Sequence, residues 1–231
     1  MPFDVTSPPF ARSAPYREDE STGADATLKL ENMLLEEFNY ASVTAYQAME
    51  DRARMFNLYL LVIGIFGSAL GALYQFGGAL TQPLAIIALV VAWVAGISFF
   101  VQLIRLRQAF LDSLKNMNTI KGYYIERFKD VLPDPSKAFR WRMETMPRGE
   151  HTGTVTYVVC HTVALLGSLC LAGAAFLGND FLVARVPEAA IPQLGGFQSY
   201  VAAMVAFLLS YFIHAIYFQR TLNGKRARRG A

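Results

Sequence analysis

The chain has 231 residues, of which 54% are hydrophobic and 17% charged, with a net charge of +3. That balance is too apolar for an ordinary soluble domain, and the weak, scattered positive charge gives no case for nucleic-acid binding. Cys160 and Cys170 fall in one apolar block; ten helical residues span about 15 Å, so no disulfide can join them.

Residues 1–27 are rich in Pro, Ser and acidic side chains and show little periodicity. Such a segment cannot bury enough apolar surface to order itself and is predicted to be a disordered tail. It lacks the basic start and apolar core of a secretory signal, so the first span is expected to act as an uncleaved targeting signal. Residues 28–55 are predicted to form a cytosolic amphipathic helix. Leu30, Met33, Leu34, Phe38, Ala41, Ala45 and Ala48 make its apolar stripe, spaced by three and four. Glu31, Glu36, Glu37, Glu50, Asp51, Arg52 and Arg54 keep it out of the bilayer. It is expected to run unbroken into the first span and to pack on this chain's own cytosolic loop or on a partner.

Residues 56–104 contain no Asp, Glu, Lys, Arg or His. A bilayer core needs about 20 apolar residues as a helix, and in lipid each backbone polar group must be paired internally. The stretch therefore reads as a transmembrane hairpin with helices near 56–76 and 83–104, turned by Gly77, Gly78 and Pro83. Residues 105–151 form a cytosolic helical loop. Leu106, Phe110, Leu114, Met117, Ile120 and Tyr124 share one face, which predicts a helix to about Val131, stopped by Pro133 and Pro135. Arg140, Trp141 and Arg142 suit the lipid headgroup level. Residues 152–219 give a second hairpin, with helices near 154–177 and 197–219. The tail, 220–231, carries Arg220, Lys225, Arg226, Arg228 and Arg229; each is worth about 1 kcal/mol of attraction to anionic lipid near the surface. The predicted fold is an all-α polytopic membrane protein, four transmembrane helices in two hairpins.

Charge sets the orientation. The central loop holds ten basic residues and the tail five, with Arg52 and Arg54 before the first span, whereas the two opposite turns hold only Arg185. The positive-inside rule puts both termini and the central loop in the cytoplasm of a cell-membrane protein.

Each span has small residues four apart. These are Gly64, Ser68 and Ala72, with Gly67 and Gly71 beside them, then Ala88, Ala92 and Gly96, then Ala164, Ser168 and Ala172, and last Ala202, Ala206 and Ser210. Small residues at this spacing let helix backbones approach closely. The tightest packing is predicted at Gly67 and Gly71. The same spacing serves contacts between copies, so a homo-oligomer is expected.

Two histidines lie inside spans, His161 and His214, at similar depth from the cytoplasmic side. Intramembrane ionisable groups mark functional sites by default. A haem held by both imidazoles and a proton-responsive or pore-lining pair are two chemistries this arrangement could serve. The bland alternative is a neutral cluster in which Ser168, Ser210, Tyr157 or Tyr211 satisfies each ring, and that is the expectation here, without metal or cofactor. The spans lack the midplane carboxylate of an ion-coupled transporter. No GxxxxGK[ST], HExxH, CxxC or GxSxG motif occurs, so no catalytic residue and no enzyme activity are predicted.

An amphipathic helix ending in AYQAMEDRARMFNLYL, a two-span hairpin and then RLRQAFLDSLKNMNTIKGYYIERF resemble the layout of bacterial SLATT-type membrane effector domains over roughly residues 28–131. That resemblance implies a two-span unit that forms pores downstream of nucleotide-signal sensing in anti-phage defence. This chain adds a second hairpin and has no recognisable sensor domain. The functional expectations are a self-associating pore-type effector in membrane lipid, a non-catalytic scaffold or accessory subunit of a membrane complex, or a haem-binding redox protein using His161 and His214.

The topology is tested by labelling intact cells with an impermeant thiol reagent. A cysteine placed at Asp180 should react and one at Lys121 should not; the reverse pattern would overturn the orientation.

Overall fold

The computed structural model describes residues 23–130, 154–185 and 196–227. Every regular element among them is an α-helix: α1 (Gly23–Phe76), α2 (Thr81–Arg127), α3 (Val155–Val183) and α4 (Phe197–Ala227). All four are long and apolar enough to cross a membrane.

The turn between α1 and α2 depends on glycine. Gly77 and Gly78 have φ of 62° and 121°, backbone that a side chain would strain. The Thr81 amide then bonds the Gly78 carbonyl at 3.1 Å, starting α2. Pro83 falls in the first turn of α2, where its missing N–H removes no helical bond. At the start of α3, the Thr154 hydroxyl accepts a bond from the Tyr157 amide at 3.3 Å and so caps an end that would otherwise expose free donors.

The helices differ in length. α1 has 54 residues and α2 has 47, about 81 and 70 Å at 1.5 Å per residue. α3 and α4, with 29 and 31 residues, reach about 45 Å. A hydrocarbon core is about 30 Å thick, so α1 and α2 project well beyond it. Hydrogen bonds fix which ends meet. At one end Arg52 reaches Thr156, and Gln108 Nε2 donates to the Thr221 carbonyl at 3.2 Å. At the other, Gln82 Nε2 donates to the Leu177 carbonyl at 2.9 Å, and Asn179 and Asp180 both bond Ser199. α1 and α2 project from the first end. Beyond it Tyr124 donates to the Glu31 carbonyl at 3.3 Å, and the Lys121 ammonium lies 5.7 Å from the Phe38 ring centre.

α2 and α3 form the centre. α1 packs on α2, α4 packs on α3, and α4 touches α2 more lightly. The core joins Tyr59 of α1, Phe100, Leu103 and Ile104 of α2, Cys160, Val163 and Ala164 of α3, and Phe218 of α4. A close approach of α2 and α3 is at Gly96 and Gly167. A Cβ built on Gly96 would stand 3.4 Å from the Gly167 Cα and 3.7 Å from the Tyr59 hydroxyl. The missing side chains let α2 and α3 touch through their backbones, and they admit Tyr59 between the helices. Its hydroxyl, fully buried, donates to the Val163 carbonyl at 3.3 Å.

Several expectations need correction. The small-residue stripe of the first span does not pack within the chain: Gly64, Gly67, Ser68 and Gly71 are exposed, and a Cβ on any of the three glycines would meet nothing within 4 Å. The reason is angular. α1 docks through Ala41, Ala45, Ala48 and Tyr59, and at about 100° per residue Ser68 lies on the far side of the helix from Tyr59. Within the span the buried face is that of Tyr59, flanked by Met55, Phe56 and Ile63. Ala92 and Gly96, by contrast, are buried. Leu30 and Met33, placed in the apolar stripe from spacing, are exposed. α1 begins at Gly23, inside the tail expected to be disordered, and α4 continues to Ala227, inside the basic tail. The remainder of the N-terminal tail, the segment holding Arg140, Trp141 and Arg142, and Arg228 and Arg229 lie outside the described residues.

Two substitutions separate these faces. Gly96→Val should destabilise the folded chain by about 1–3 kcal/mol or more through overpacking against Gly167 and Tyr59. Gly71→Leu should change the stability of the isolated chain by less than about 0.5 kcal/mol. Denaturation in detergent, at dilution that excludes association, measures both; equal losses would contradict the assignment of faces.

Candidate functional site

The polar groups inside the helices converge on Ser210 of α4. Trp93 of α2 donates its indole N–H to the Ser210 hydroxyl at 3.1 Å, and the Ser168 hydroxyl of α3 bonds it at 3.0 Å. One turn on, His214 Nδ1 lies 2.7 Å from the Ser210 carbonyl. A carbonyl can only accept, so this nitrogen carries a proton and donates. One residue thus ties three helices together. Ser168 and Ser210 are both buried, where an unpaired hydroxyl would cost most.

The two histidines face different helices. His161 Nδ1 lies 3.0 Å from the Tyr211 hydroxyl, and its ring packs 4.0 Å from Tyr157 and 5.7 Å from Phe218, centre to centre. Its interhelical partners are therefore on α4. His214 is buried and meets Phe100 of α2 edge-on at 4.8 Å. Phe218, which packs on His161, and Phe100, which packs on His214, belong to the same core, and Ser168 and Ser210 group with Trp93 and His214. Tyr211, not a serine, is the partner of His161. Among the described residues no group of three or more His, Cys, Asp and Glu side chains could hold a metal.

A second feature is the open side of α1. Asn57, Gly64, Ser68, Gly71 and Gln75 are all exposed, and about 100° per residue places them within roughly 40° of one line along the helix. The Ser68 hydroxyl bonds its own helix, to the Gly64 carbonyl at 2.9 Å. Apart from Leu61, which is also exposed on this side, the line is polar and small. Nearer the projecting end, the outward side of α1 is mixed, with Met33, Tyr40, Val43 and Tyr46 exposed among Glu36, Glu37, Gln47 and Asp51. Of the residues proposed to contact lipid headgroups, Lys225 and Arg226 fall on the last turn of α4.

Sequence reasoning missed Trp93, Tyr59, Asn57 and Gln75. The first two looked like ordinary apolar span residues, since their roles depend on which helix lies opposite. Asn57 and Gln75 were legible, as the uncharged polar residues sharing the helix face of Gly64 and Gly71. No family model matches the chain, and neither does any curated protein or solved structure.

Ser210→Ala should remove two interhelical bonds and destabilise the protein by about 1 kcal/mol, the scale of such bonds between membrane helices. Ser98 bonds only the Val94 carbonyl of its own helix. Ser98→Ala should therefore cost much less, and equal effects in detergent unfolding would contradict the role given to Ser210.

Proposed function

We propose that the chain is a non-catalytic membrane protein that self-associates through α1 and acts as a pore-type or membrane effector. The observation that carries this reading is the exposed line of Asn57, Gly64, Ser68, Gly71 and Gln75. The small residues along this line are suited to close contact with a copy of the same helix, and the amides at its two ends to bonding across that contact or to water. A path through one chain is disfavoured, because backbones meet at Gly96 and Gly167 where α2 crosses α3. A conducting path would then lie between copies. In this reading the helices form two hairpins, with both termini and the projecting part of α1 and α2 in the cytoplasm of the cell membrane. The layout resemblance to SLATT-type effectors is in keeping with it.

Liposome flux and particle mass test the proposal together. The wild type should form a closed homo-oligomer and release a small entrapped dye. Gly71→Leu should lower both association and release at least about tenfold, by placing a bulky side chain in a close helix contact. A monomer in mild detergent and in liposomes, with tight vesicles, would sink the pore reading and favour a scaffold or accessory subunit of a larger membrane complex. A Soret band in the purified protein, lost in His161→Ala or His214→Ala, would favour the haem alternative.

A further inference from the structure

Arg107 of α2 is 5% exposed, and two of its nitrogens, Nε and Nη2, are buried without a hydrogen-bond partner among the described residues. These two atoms share one edge of the planar guanidinium, the edge that grips two oxygens of a single anion. No ion pair among the described residues includes Arg107 or Arg52. The groups that act electrostatically on Arg107 are a second cation, Arg52 of α1, and Cys160 of α3. Burial first, and Arg52 second, pull its pKa down from the usual arginine value. A guanidinium nevertheless stays protonated in a protein, so deprotonation does not relieve the cost of burying this charge. A lone buried cation costs several kcal/mol unless an anion compensates it.

The surroundings are those of an anion cradle. Arg52 Nη1 donates to the Thr156 hydroxyl at 2.5 Å, and Thr156 is buried in the first turn of α3. The first amides of a helix are free donors at the positive end of its dipole. Cys160, one turn further along α3, feels both arginines. Three helices thus bring two guanidinium groups and a helix N-terminus to one level, just past the core residues Leu103 and Ile104.

We infer that Arg107 and Arg52, at the N-terminal turn of α3, bind a phosphate group. A tetrahedral oxyanion offers two oxygens to the Nε and Nη2 edge of Arg107 and others to Arg52 and the α3 amides. A free phosphate carries up to two negative charges and a lipid phosphodiester one, either of which offsets the buried cation. The group belongs to an anionic lipid whose headgroup enters between the helices or to a free phosphate. The site is independent of the pore reading and stands whether the chain associates or not.

Thermal unfolding of the purified full chain tests it. In neutral detergent, inorganic phosphate should raise the unfolding midpoint above that in chloride of equal ionic strength; this identifies a free phosphate. Alternatively, the midpoint should be higher in vesicles of phosphatidylcholine and phosphatidylglycerol in equal parts than in phosphatidylcholine alone; this identifies a lipid. Whichever response occurs should vanish in Arg107→Gln. It should weaken at least about tenfold in affinity in Arg107→Lys, which keeps the charge but not the fork. Should Arg107→Gln not fold, Arg52→Gln, altered at a less buried position, must show the weakening. A wild type that responds to neither source overturns the proposal.

Discussion

The architecture depends on one close crossing, where Gly96 of α2 meets Gly167 of α3 without a side chain between them. Lipid tails are as apolar as leucine, so burial alone does not drive membrane helices together, and dispersion across a close contact has to. The space left at Gly96 also lets the Tyr59 phenol of α1 reach the Val163 carbonyl of α3. A side chain at Gly96 would therefore disturb two contacts at once, the α2–α3 crossing and the docking of α1. The core residues Phe100, Leu103 and Ile104 follow Gly96 along α2 toward the projecting end, so the face that α2 turns to its neighbours is set at that crossing.

The polar groups within the bundle follow the same economy of space. Ser210 serves Trp93 and Ser168 with its hydroxyl and His214 with its carbonyl. The arrangement satisfies each group without water, which helices in hydrocarbon require. His161 meets this demand separately, through Tyr211. Arg107 is the exception, since its unpaired edge has no counterpart among the described residues.

The four apolar helices were legible from the sequence because length and absence of charge are properties of a single segment. Which face of each helix turns inward is a property of pairs, and here the sequence was a weaker guide. Gly64, Ser68 and Ala72 have the same spacing as Ala88, Ala92 and Gly96, yet only the second set meets a neighbour in the chain. Spacing reports that a close contact is sterically open, not which surface fills it. Depth along the helix placed His161 and His214 at one level but did not give their partners, the Tyr211 hydroxyl and the Ser210 carbonyl, because depth fixes only one of the two coordinates of a side chain on a helix. Arg107 was visible only as one of many basic residues past the second span. Its burial arises from α1 and α3 closing over it, which no local pattern encodes.

The continuity of α1 has a mechanical consequence. From residue 28 to residue 63 it contains neither glycine nor proline, and it is a single helix from Gly23 to Phe76. A helix without such interruptions has no ready hinge. A load on the projecting half is therefore carried along one rod to the half that holds Tyr59, whose buried hydroxyl bonds the Val163 carbonyl of α3. Whatever grips the far end of α1 thereby pulls on its docking against the other helices.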